Sequence, residues 1–225
     1  MQSNKATGRV VGVLFLTIFI LGITIYQILQ GPILFEEDYY NSILAFENNL
    51  ITSIILGIFS GVLSIIISIL VFHLLQNFNK FLGYLYLSFC IVNFIGIILD
   101  SVSVASMIEY GKSLQVLDSN SADTIALVGH LLLKKHWWTH YLSLLISCFP
   151  LFIFYYTMTI TKLIPRVISL FGLVAVVLMF LEMVLSLFDA RLGMNMLLPL
   201  GLAQITLPIW LIIKGFNDNQ SLHSL

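Results

Sequence analysis

Six runs of this chain are apolar for long enough to cross a lipid bilayer, and no other feature limits its fold as strongly. They cover about Val10–Leu29, Leu50–Gln76, Phe81–Met107, Trp137–Thr161, Arg166–Phe188 and Asn195–Lys214. A spanning helix needs roughly 20 such residues to cross a hydrocarbon core of about 30 Å. Inside lipid every backbone polar group must be satisfied within the protein, which leaves helices and closed barrels. The period-two alternation of a barrel strand is absent. Composition removes a soluble alternative: 59% of the 225 residues are apolar and only 9% charged, too few polar side chains to cover a wet surface. The expected fold is all-α, a single-domain polytopic bundle of six transmembrane helices.

Ten Lys and Arg against eleven Asp and Glu give a net charge of −1. No basic patch points to nucleic acid, so membrane lipids are the expected surroundings and partners. Cys90 and Cys148 sit inside apolar runs and fit neither a disulfide framework nor a thiolate metal site. Lys5 and Arg9 precede the first run in the manner of a signal peptide. That run is longer than the roughly 7–15 residues of a signal core, so an uncleaved helix is expected. Six spans put both termini on one side, with Lys5, Arg9, Lys80, Lys162, Arg166 and Lys214. The opposite side carries Lys112, Lys134, Lys135 and Arg191. The positive-inside rule then places both termini in the cytoplasm, most readily across a bacterial cytoplasmic membrane.

Local chemistry sets the boundaries. Asn77–Lys80 forms a tight link, Pro165 opens the fifth helix, and Gly215 closes the sixth after Lys214. Trp137 with Trp138, and Tyr155 with Tyr156, are expected as interfacial belts. Pro150, Pro199 and Pro208 are expected to kink their helices. Ala122–Leu133, running on to Thr161, would make one helix too long for a single span, so a separate short helix at the outer interface is expected. Ser53, Gly57, Gly61, Ser64 and Ser68 recur every three or four residues, a stripe that admits a close helix neighbour. Packing within the chain is favoured there over a homodimer seam at Gly57 and Gly61. No internal repeat supports an inverted-repeat transporter.

Ionisable residues inside the spans need an explanation, because a charge at the centre of a spanning helix costs at least about 2.5 kcal/mol. Asp100 in the third run and Glu182 in the fifth are the intramembrane acids. Counting the helical rise puts them roughly 28 and 24 Å from the inner ends, with His140 roughly 6 Å below His136 at the outer mouth. Asn93, Asp100 and Ser103 share one helix face; so do His136, His140, Ser143 and Ser147; so do Glu182, Ser186 and Asp189, with Arg191 just beyond. Polar faces in a membrane bundle turn inward. An outer polar pocket between spans three, four and five is expected, with Gln204 on its floor.

Three uses of such a pocket stay open. The carboxylates can pair with His140 or Arg191 and fix helix register. His136-x-x-x-His140, with Asp100, can ligate zinc, and zinc with an open position could activate water against a lipid-like substrate. The site can bind a small amphiphilic ligand or partner, or support proton-coupled movement. The Glu of the metalloprotease HExxH pattern is missing, and no GxSxG, P-loop, GxGxxG or CxxC motif occurs. His73 has no partner at its own level, which argues against a bis-histidine haem. The favoured expectation is a non-enzymatic protein that binds a small ligand or partner at this pocket.

Gly8-Arg9-Val10-Val11-Gly12, His136-Trp137, Leu163-Ile164-Pro165-Arg166-Val167 and Pro208–Gly215 together resemble the bacterial six-helix membrane family catalogued as domain of unknown function 4386. The resemblance covers nearly the whole chain. It implies six spans and supplies no activity, substrate or catalytic residue. It also implies an Asp in the second helix and an Arg in the third. Those positions fall on Ser64 and Cys90 here, so that ion pair is missing.

Overall fold

A computed structural model describes residues 4–34, 36, 39–76, 78–115, 122–190 and 193–217. Helix α1 (Asn4–Ile23) runs into a π-helical segment (Thr24–Gln30) and the short α2 (Gly31–Leu34). After α3 (Tyr39–Ser42) come α4 (Glu47–Leu75), α5 (Lys80–Leu114), α6 (Ala122–Thr161), α7 (Arg166–Leu187) and α8 (Leu198–Lys214). Six helices are long and apolar enough to cross a membrane, and no strand occurs among the described residues. Each long helix packs against the next in sequence, and α8 closes the ring against both α7 and α1.

Small residues set these contacts. A Cβ on Gly12 would stand 2.8 Å from Leu211 Cβ, and one on Gly8 would meet the backbone of Phe216; α1 and α8 touch because neither position carries a side chain. Gly61 packs on the Phe94 ring, and Gly57 faces Ile97 and Ser101 across α4 and α5. Gly172 of α7 lies flat against the Tyr155 ring of α6. That contact corrects one expectation: Tyr155 is 1% exposed and belongs to the core, while Tyr156 is 43% exposed. Adjacent residues on a helix point about 100° apart, so one of the pair turns outward and the other inward.

Boundary residues act largely through hydrogen bonds. The Asn79 side chain caps α5 by accepting from the amides of Phe81 at 3.0 Å and Leu82 at 3.4 Å. Pro165 is the N-cap of α7. Gly215 ends α8 at a φ of 72°, a left-handed conformation that costs glycine little. Pro150 and Pro208 lie inside helices. Pro199, expected to kink the sixth span, instead occupies the first turn of α8, where its missing N–H costs no hydrogen bond.

The helix ends opposite the termini depart furthest from expectation. No separate interfacial helix is present at Ala122–Leu133; the segment is continuous with the fourth span as one helix of 40 residues, about 60 Å long. Helix α5 has 35 residues, so the two overhang the bilayer together. The overhang is upright because it has its own core. Ile33, Leu34, Tyr39, Ile43, Leu50, Val104, Met107 and Ile108 are buried there, with Leu132 and Leu133 packed against them. The buried Tyr39 hydroxyl donates to Gly129 O at 3.0 Å. Tyr110 donates to Ile125 O, and Lys112 pairs with Glu47 at 2.7 Å. A helix lying flat on the interface would forfeit these contacts.

Candidate functional site

The close approach of α5 and α6 begins at Gly96, whose Cβ would stand 3.3 Å from Ser143 Oγ. One turn outward from that contact lie Asp100 on α5 and Thr139 with His140 on α6. Asp100 is 4% exposed and His136 3%. Thr139 Oγ1 donates to Asp100 Oδ1 at 3.2 Å. With its proton on Nδ1, His140 donates to Asp100 Oδ2 at 3.5 Å. His136 Nδ1 stands 3.4 Å from Asp100 Oδ1 but off the hydrogen-bond direction, and it has no hydrogen-bond partner.

A fourth group comes from the first helix. The Tyr26 side chain lies beside Asp100, and its ring meets the His140 ring edge-on, with centroids 4.7 Å apart. Tyr26 sits in the π-helical segment, a form of turn found often at functional sites. One turn further along that segment, Gln30 Nε2 donates to Ser53 Oγ of α4 at 2.9 Å. The segment therefore ties α1 to α4 at one level and to the Asp100 cluster at the next.

Hydroxyls and imidazoles surround a carboxylate that lipid would otherwise penalise heavily. The surroundings are still incompletely satisfied. Gln30 Oε1, Asn93 Oδ1, Ser103 Oγ and His136 Nδ1 are buried without a hydrogen-bond partner. Such a group costs about 1–3 kcal/mol when left unmade. Ser103 lies one turn outward of Asp100 on α5, and Asn93 two turns inward. Two of the four, the amide oxygens, can only accept.

Asp100, His136 and His140 are thus brought together by the third and fourth spans, with Tyr26 of the first beside them. The bond shown for Glu182, which is 4% exposed, runs elsewhere: its Oε1 accepts from Gly193 N at 3.4 Å, holding the turn after α7. Asp189 is exposed and lies two residues past the end of α7, at a φ of 57°. Arg191 lies outside the described residues. Among the described residues, no group of three or more His, Cys, Asp and Glu is placed to hold a metal ion. The Cys90 thiol is buried mid-bundle beside Ser64, Ser68 and Tyr86.

Sequence reasoning missed Tyr26 and Thr139. A signal for Tyr26 existed, since Tyr26 and Gln30 are polar residues four apart at the C-terminal end of the first run. Thr139 neighbours His140, and threonines in spanning helices commonly bond back to their own helix; the single Thr139 hydroxyl proton is shared between His136 O at 2.9 Å and Asp100 Oδ1.

This arrangement defines a polytopic helical bundle with a buried acid–imidazole cluster towards one end. A family model described as a domain of unknown function, DUF4386, matches residues 10–215, and the chain belongs to that family. No curated protein and no solved structure matches it.

Proposed function

We propose that this is a non-enzymatic integral membrane protein that binds a small ligand at the outer polar site centred on Asp100, His136 and His140. The ligand brings positive charge or hydrogen-bond donors, because the site is rich in acceptors. One observation carries this reading: a carboxylate buried within the spans is faced by two imidazoles at 3.4 and 3.5 Å, one of which lacks a hydrogen bond. A purely structural pair would gain by closing to the 2.7–2.9 Å typical of charge-assisted bonds.

A second reading, zinc, draws on the same distances. Two ligands on one tetrahedral zinc, each about 2.0–2.1 Å from it, stand roughly 3.3 Å apart. Zinc would require the two imidazoles to converge on a common point by a small ring rotation.

The test is native mass spectrometry with metal analysis of the detergent-purified chain, wild type beside Asp100→Asn. The expected result is a bound species on the wild type, lost from the variant, whose helical circular dichroism is unchanged. Near-stoichiometric zinc that also disappears in His136→Ala/His140→Ala would select the second reading. A wild type that carries nothing, and whose Tm is unmoved by added zinc or small amines, overturns both.

A further inference from the structure

On the opposite half of the molecule, α6 and α7 leave a shallow cleft of about 260 Å³ between them, lined by Phe152, Leu173, Val174, Val177 and Leu178. Every lining side chain is apolar. The cleft opens sideways, where a spanning bundle meets lipid: Phe152 is 45% exposed, Val174 58% and Val177 44%.

Its position along the helices is informative. Leu173 and Val177 lie seven and eleven residues past Arg166, on the same face of α7, with the exposed Leu170 between Arg166 and Leu173. The helical rise places the cleft about 10–18 Å from Arg166. One leaflet contributes about half of a 30 Å hydrocarbon core, so the cleft sits where the lower part of an acyl chain runs when its headgroup is level with Arg166. Lys162, also exposed, adds a second cation at that level, at the close of α6. The first turn of α7 carries no acidic residue. On the α6 side the Phe152 ring stacks with Tyr156, centroids 6.3 Å apart and planes within 4°, which continues the apolar wall one turn towards the charged end.

We infer that this face binds one anionic phospholipid, with its phosphate at Arg166 and Lys162 and one acyl chain in the α6–α7 cleft. Charge selects the headgroup, and the cleft holds the chain in register with it. A zwitterionic lipid of the same chains fills the cleft equally well but lacks the net charge. Arg166 is preferred to a second lysine because its planar fork matches a phosphate through two hydrogen bonds.

The experiment is native mass spectrometry of the full chain from mild detergent, titrated with phosphatidylglycerol or phosphatidylcholine of identical acyl chains. One equivalent of phosphatidylglycerol is expected to bind about fivefold more tightly than phosphatidylcholine, the effect of one cation near an anionic headgroup. Arg166→Gln should weaken that preference and Arg166→Gln with Lys162→Gln should remove it, Arg166→Lys should keep most of it, and Val174→Trp should lower retention of both lipids by filling the cleft. Both positions face outward, so neither change enters the core. Equal binding of the two lipids in the wild type, or retention unaltered in Arg166→Gln or in Val174→Trp, overturns the inference and leaves ordinary annular lipid.

Discussion

At the scale of single residues, close packing in this bundle rests on positions where a methyl group has no room. Gly172 is the clearest of them, because its missing side chain is the space occupied by the buried Tyr155 ring. Adding Cβ forces the ring or the α6–α7 separation to change, and overpacking of this kind costs about 1–3 kcal/mol. Gly172→Ala should therefore lower the Tm in detergent measurably. Gly22→Ala is the control, since nothing lies within 4 Å of a Cβ there, and it should leave Tm unchanged or slightly raised through better helix propensity. Equal effects from the two substitutions would remove the steric argument. The candidate site was partly legible at this scale. Asp100, His136 and His140 are conspicuous because lipid makes charge costly, and helical spacing groups the histidines on one face. Glu182 is equally conspicuous, yet its bond to Gly193 N depends on a turn whose path spacing alone cannot supply. Tyr26 is obscured further, because a π-helical segment alters the direction in which each following side chain leaves the axis.

At the scale of elements, hydrophobic runs give the number of spans without giving where each helix stops. Loss of apolar character marks where lipid ends, whereas a helix continues as long as packing supports it. Helices α5 and α6 run on past the bilayer because Ile33, Leu34, Tyr39 and Ile43 fill the space beside them. Tyrosine hydroxyls bonded to Gly129 O and Ile125 O secure the overhang. A separate interfacial helix and a continuous one make different distances. Spin labels at Leu127 and Ile160, both exposed, are 33 positions apart in sequence and should be about 50 Å apart along a continuous helix. With Cys90 and Cys148 replaced by alanine, pulsed electron paramagnetic resonance reads that distance directly. A value well below 40 Å would mean that the helix bends at the membrane surface, as a helix lying in the interface does.

At the scale of the whole molecule, the closed ring requires the termini to share a side, since α1 and α8 are in contact and an even number of spans lies between the ends. Which side that is follows from charge rather than packing. Lys5, Arg9, Lys80, Lys162, Arg166 and Lys214 cluster at the termini side, all close to span ends, where the positive-inside rule gives them most weight. The overhang has its own cations in Lys112, Lys134 and Lys135, but Lys112 is engaged with Glu47 and Glu109. The termini are therefore expected in the cytoplasm, with the overhang and the Asp100 cluster towards the outside. In the cysteine-free background, an impermeant thiol reagent applied to intact cells should modify a cysteine placed at Glu36 or Gln115. A cysteine at Asn4 should react only after permeabilisation. The reverse pattern would turn the molecule over, and with it the meaning of both sites: the acid–imidazole cluster would then sample cytoplasmic ligands, and the α6–α7 cleft would draw its lipid from the outer leaflet. The labelling pattern therefore decides which pool of ligands each site can meet.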